Sequence, residues 1–204
     1  MELFRIGDKV ISKDKLMAAL EGILLSRTKG ATQEDVARRA GVPRSFVSNI
    51  ETLGALRYGA RIAFIAFPIS NAHEAMQLAQ SFGIELALGM SQDDRQRVGQ
   101  EPASDMFNRM VDTLAALRSF DTVVVAASDY RIETFRRIID GDVVGIDLGS
   151  SPITEDKVLD LEVLRDVFSS LTQESNEHAE GAGNSSEENL SALQIAKRWL
   201  SSKR

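Results

Sequence analysis

The sequence predicts a helical N-terminal domain followed by an α/β domain with a mainly parallel four-stranded sheet. Three observations predict it. Between Thr32 and Glu51, two short helical patterns flank the turn Ala40-Gly41-Val42-Pro43. From Ala60 onward, four short apolar runs alternate with helix-period segments, the pattern of strands joined by crossover helices. The charge also changes sign along the chain. Residues 1–61 carry 11 Lys and Arg against 7 Asp and Glu, and the remainder carries 13 against 23. The two parts are therefore +4 and −10, within a total of −6.

Phe4, Ile6, Val10 and Ile11 suggest a short extended arm, pairing within its own subunit or across a dimer. Ser12 caps a helix over Lys13–Arg27. Its Leu16, Leu20, Ile23 and Leu24 recur at three- and four-residue spacing, a stripe expected to pack across the next two helices. Thr32 is a good N-cap, and Asp35 completes a loose capping box, standing where Glu or Gln is usual. Val36 and Ala37 supply the buried face. Gly41 ends this helix, being free to take the left-handed turn that a side chain resists. Val42 plugs the corner. Pro43 opens the next helix, where its missing N–H has no intrahelical partner. Val47 and Ile50 then face inward, leaving Arg44, Ser45, Ser48 and Asn49 outward.

That outward set has the chemistry of a major-groove reader. Arg reaches guanine O6 and N7 with two donors, Asn pairs adenine N6 and N7, and Ser serves bases or phosphates. Gln33 opens the preceding helix, where side chains and backbone N–H groups commonly grip phosphate. The segment resembles the helix-turn-helix of the phage repressor and Cro (XRE-type) family. The likeness lies in Ala37, Gly41, the buried apolar positions, and Ser45 set between Pro43-Arg44 and Ser48-Asn49-Ile50-Glu51. It is close over about twenty residues and loose over roughly the first sixty. It implies a helix docked in the major groove of double-stranded DNA by a homodimer. Carried over by position, Arg44, Ser45, Ser48 and Asn49 read bases, with Pro43 and Thr52 nearby and Gln33 on a phosphate or base edge. Family members often have five helices. Here a strand-like run begins soon after Gly54, so their dimer contacts do not carry over. RNA contact, protein contact and a plain structural hairpin are the alternatives to DNA.

In the second part, Ala60–Phe67, Ile84–Met90, Asp121–Ser128 and Asp142–Gly149 read as strands. Asn71–Phe82, a segment starting at Ser104, and Tyr130–Ile139 read as helices, with Met106, Phe107, Met110, Leu114 and Leu117 expected inward on the second. Ser91–Pro102 is polar, a short helix or a loop. The whole predicts a Rossmann-like three-layer unit between Ala60 and Pro152, with strand order 2-1-3-4. Thr172–Asn189 has five Glu and no Lys or Arg, the composition of a disordered linker. Leu190, Leu193, Ile195, Ala196, Trp199 and Leu200 then form an amphipathic segment suited to packing on its own protein or on a dimer mate. The expected domains are 1–58 (helix-turn-helix), 59–171 (Rossmann-like sensor or dimerisation domain), 172–189 (acidic linker) and 190–204 (short helix).

Open parallel sheets bind ligands at the C-terminal ends of their strands. Ser70, Asn71, Ser128, Asp129 and Ser150 stand there as candidates for a small effector, although Ser, Asn and Asp cap helices everywhere. No cofactor is expected. The turn after the first strand, Phe67-Pro68-Ile69-Ser70-Asn71, has no glycine to admit a pyrophosphate, and no phosphate-loop motif exists. Cysteine is absent, and His73 and His178 are far apart, so no metal site is expected. Asp129 and Asp147 are not spaced as a catalytic pair, and no catalytic residue is assigned. The N-terminus lacks the apolar run of a signal peptide, and no stretch reaches bilayer-spanning length. The expectation is a cytoplasmic, bacterial-type transcription regulator, not an enzyme and without a membrane partner. The alternative is a metabolite-binding protein or enzyme with an accessory helix-turn-helix module.

Overall fold

A computed structural model describes residues 2–56 and 61–172. The chain divides into two units, Met1–Ala55 and Leu56–Arg204, close to the boundary expected from sequence. The acidic linker expected over 172–189 and the short helix expected over 190–204 lie outside the described residues, except Thr172, which ends the last described helix. No helix among the described residues is long and apolar enough to cross a membrane.

The N-terminal unit starts with β1 (Leu3–Ile6) and β2 (Lys9–Ser12), paired antiparallel. The expected arm is thus a hairpin within the chain. Its turn uses Gly7 at φ 58°, a left-handed conformation that glycine adopts without a steric penalty. Phe4 pairs with Ile11 and Ile6 with Lys9, so Phe4, Ile6 and Ile11 share one face. Then follow α1 (Lys13–Thr28), α2 (Gln33–Ala40) and α3 (Arg44–Leu53). Their core is small. Ile23, Val36, Ala37 and Val47 are buried, with Ala31, Val42 and Ile50 packed against them.

The stripe expected on α1 does not form. Ile23 is buried, but Leu16 is 48% exposed and Leu24 42%. The reason is geometric. Apolar side chains are spread round α1, with Met17 and Leu25 also exposed, and the partner helices have only eight and ten residues against sixteen.

The C-terminal unit holds β3 (Ile62–Ala66), α4 (Ala72–Ser81), β4 (Leu86–Gly89), α5 (Gln92–Gly99), α6 (Ala103–Leu117), β5 (Thr122–Ala127), α7 (Asp129–Ile138), β6 (Asp142–Asp147) and α8 (Leu161–Thr172). The strands form one parallel sheet in the order β4-β3-β5-β6, the expected 2-1-3-4. Every residue of the two central strands is buried, which is why both read as unbroken apolar runs. Alternate side chains feed two cores. Ile62, Phe64, Ala66, Val124 and Ala126 face α4 and α8. Ala63, Ile65, Val123 and Val125 face Leu117 of α6 and Ile132 of α7. This is a three-layer α/β domain.

The polar stretch after β4, expected as a short helix or a loop, is helical, with Ser91 and Asp94 forming a full capping box. Other details differ from the sequence reading. The segment after Pro152 supplies α8, which the sequence reading lacks; Asp160 accepts from the N–H groups of Glu162 and Val163 at its start. Phe168 meets Phe64 edge-on, with ring centroids 5.5 Å apart. On α6, Leu117 is buried as expected, but Phe107 is 58% exposed. The N-terminal half of α6 does not lie on the sheet. Met106 and Met110 instead border a cavity of about 470 Å³, whose far wall includes Ile65 and Leu88.

Candidate nucleic-acid interface

Thr32 begins α2 as the sequence suggests. Its hydroxyl accepts from the Asp35 N–H at 3.1 Å and donates to the Asp35 carboxylate at 2.8 Å. The capping box is therefore half formed, since the shorter Asp side chain returns to the hydroxyl. Gly41 ends the helix at φ 68°. The chain then turns through Val42 into α3, with Pro43 at the N-cap, one position earlier than the first helical turn. Val47 is wholly buried against α1 and α2, which fixes the rotation of α3 about its axis.

That rotation presents Arg44, Ser45 and Asn49 to solvent and leaves Ser48 half-buried. Thr52 is exposed, but its hydroxyl donates to the Ser48 carbonyl at 3.0 Å. Helix α3 is about 15 Å long at the usual rise per residue. Its outer face therefore carries a forked cation, two hydroxyls and a carboxamide over three turns.

Gln33 sits inside a side-chain relay. Its Nε2 donates to Glu51 Oε2 at 2.7 Å, and its Oε1 accepts from Arg44 Nε at 3.3 Å. The other Glu51 oxygen accepts from Arg27 Nε. Arg27 also donates to the Ala31 carbonyl. The Arg27 hydrogen bond first, and then that from Gln33, hold the Glu51 carboxyl below the usual glutamate range. The relay ties all three helices together and restrains Arg44 from behind. The sequence suggests a phosphate or base-edge contact for Gln33; its two amide heteroatoms here face Glu51 and Arg44. The signal for that role was the run of polar residues Arg27, Gln33 and Glu51 at helix ends, whose convergence depends on the turn geometry.

Several of the residues proposed for an effector in the C-terminal unit hold turns or neighbouring backbone. Asn71 is used structurally: Nδ2 donates to the Leu159 carbonyl at 2.8 Å, and Oδ1 accepts from the Leu159 N–H at 3.0 Å. Ser70 pairs its backbone with Lys157. Asp129 accepts from the N–H groups of Tyr130 and Ser151, and Asp147 from that of Gly149. The two aspartates each hold a turn. Ser150 is exposed, and His73 lies exposed on α4. Ser128 lines a small recess together with Ser151.

No family model, curated protein or solved structure matches the chain. The functional reading therefore rests on the residues themselves.

Proposed function

We propose that this protein is a sequence-specific, DNA-binding transcription regulator that acts as a homodimer. In this reading α2 and α3 are a helix-turn-helix, and the C-terminal unit is a Rossmann-like sensor. The observation that carries it is the face of α3. Arg44, Ser45 and Asn49 point outward from a helix whose opposite side is locked by Val47, and Arg44 is braced by Gln33. A braced Arg and an exposed Asn on one helix face suit guanine and adenine edges in the major groove.

Charge supports the same reading. The positive excess is confined to residues 1–61, so phosphate attraction acts where α3 lies in the sequence and not over the acidic remainder. A homodimer is supported by the apolar surface of the N-terminal unit. Leu3, Phe4, Ile6 and Val10 of the hairpin and Leu16 and Leu25 of α1 are exposed. Large apolar groups concentrated on a small unit suit a self-complementary two-fold contact. Such a dimer sets two recognition helices one helical turn of DNA apart, about 34 Å. The same proposal has the protein act in the cytoplasm of a bacterial-type cell, without a catalytic step.

Selection of bound sequences from a random duplex pool tests the proposal. Enrichment of a site with two inverted halves is the expected result. Full-length protein that retains no DNA at low salt overturns it.

A further inference from the structure

The cavity under α6 reaches Phe67 and Met90, just past the C-terminal ends of β3 and β4, where parallel sheets bind ligands. Its volume, about 470 Å³, lies within the roughly 300–1,000 Å³ of small-molecule sites. Its walls are apolar: Ile65, Leu88, Met106, Met110 and Phe135 line it. Methionine walls adapt to irregular apolar guests. Two cations stand in the lining, Arg95 from α5 and Arg131 from α7.

These two guanidiniums are set apart from their neighbours. On the same helices Arg97 pairs with Asp94, and Arg136 and Arg137 pair with Glu133. Among the described residues, no carboxylate pairs with Arg95 or Arg131. Arg95 donates only to the Gln92 side chain, at 3.0 Å, and lies 5.8 Å from the Phe67 ring centre. Burial, and then the Arg131 charge, hold its pKa below the ordinary arginine value. The same two arginines also line a small polar recess of about 50 Å³ beside the cavity, together with Ser128 and Ser151. Ser128 is only 4% exposed, and its hydroxyl makes no hydrogen bond among the described residues. The nearby Asp129 carboxylate is already occupied by the Tyr130 and Ser151 N–H groups.

We infer that the C-terminal unit binds an amphipathic anion, with a carboxylate or phosphate head between Arg95, Arg131 and Ser128 and an apolar tail in the chamber under α6. Two unneutralised guanidiniums repel each other, and an anion between them removes that cost. Their planar forks match the oxygens of either head. An uncharged apolar guest leaves the two like charges without a counter-ion; a bare anion leaves the chamber unfilled. The inference deepens the sensor role and rests on that reading for any effect on DNA, but binding itself is read without DNA.

Full-length protein is titrated by calorimetry with octanoate, octyl phosphate, octanol and inorganic phosphate. One of the two amphipathic anions saturates a single site, and the tighter of them identifies the head group. Octanol and inorganic phosphate bind at least about tenfold more weakly. Arg131→Gln, an exposed change, weakens the anion by about tenfold and leaves octanol unaffected. Met110→Trp fills the chamber and removes the advantage of the tail, with an unchanged unfolding curve as the control. The inference is overturned if neither anion saturates, if octanol or inorganic phosphate binds as well, or if Arg131→Gln changes nothing. A ligand that binds yet leaves affinity for the selected DNA site unchanged overturns the sensor role alone. Failure to bind any ligand with DNA binding intact overturns the pocket alone.

Discussion

Gln33 Nε2 donates to Glu51 Oε2 at 2.7 Å, fastening the first turn of α2 to the last turns of α3. The bond joins residues on either side of the Gly41 turn, so it fixes how the two helices sit against each other. With Arg27 on its other oxygen, Glu51 stays ionised in the folded protein to a lower pH than in the unfolded chain. Its contribution is complete above the ordinary glutamate value of 4.5 and is lost as pH falls through the depressed folded value. Glu51→Gln should therefore lower stability at neutral pH and flatten the acid limb of the melting-temperature profile. An acid limb identical to that of the unmodified protein would remove Glu51 from the account.

Arg44→Ala and Asn49→Ala should each weaken the selected DNA site by about 1–3 kcal/mol while changing affinity for random duplex little. Gln33→Ala should act in the same direction with a smaller effect, because it frees Arg44 without deleting it. Fluorescence anisotropy at fixed salt measures all three. Equal losses on both duplexes would mean that these side chains touch only phosphate.

The hairpin offers a separate test. Phe4 and Ile6 share one exposed face. Each apolar side chain buried at a dimer contact contributes about 1.5–3 kcal/mol. Phe4→Ser with Ile6→Ser should convert a dimer into a monomer by light scattering, with the helical circular dichroism preserved. A double variant that remains a dimer would locate the contact elsewhere.

Stability of the sheet unit should respond to two opposite changes. Phe168→Ala removes the ring that meets Phe64 and should cost about 3–5 kcal/mol. At Gly145 an added Cβ would stand 2.5 Å from Ile132 Cγ2, so Gly145→Val should cost about 1–3 kcal/mol by crowding. Denaturant unfolding reads both. A neutral Gly145→Val would show that α7 can move off β6.

What was legible in the sequence was mostly local. Thr32, Gly41 and Val47 specify α2, its end and the face of α3 within sixteen residues, and each lies where that pattern places it. The parallel pairing of the strands followed from apolar runs separated by helix-period segments. What was illegible depends on contacts far along the chain. The α8 stripe Leu161, Leu164, Phe168 and Leu171 is visible once sought, but its role is set by Phe64. Asn71 reads as a helix cap, yet its partner Leu159 is 88 residues away. Arg95 and Arg131 each sit among other charges and read as solvated helix faces. Only the sheet brings them to one opening.

Helix α8 covers Phe64 and shares with α4 the shielding of that wall of the sheet from water. Synthesis runs from the other end, so β3 through β6 leave the ribosome before their last cover exists. A nascent chain stalled before Leu161 therefore displays a row of bare aliphatic and aromatic groups, a natural target for chaperones. Any shortened version for laboratory work should extend at least through Thr172.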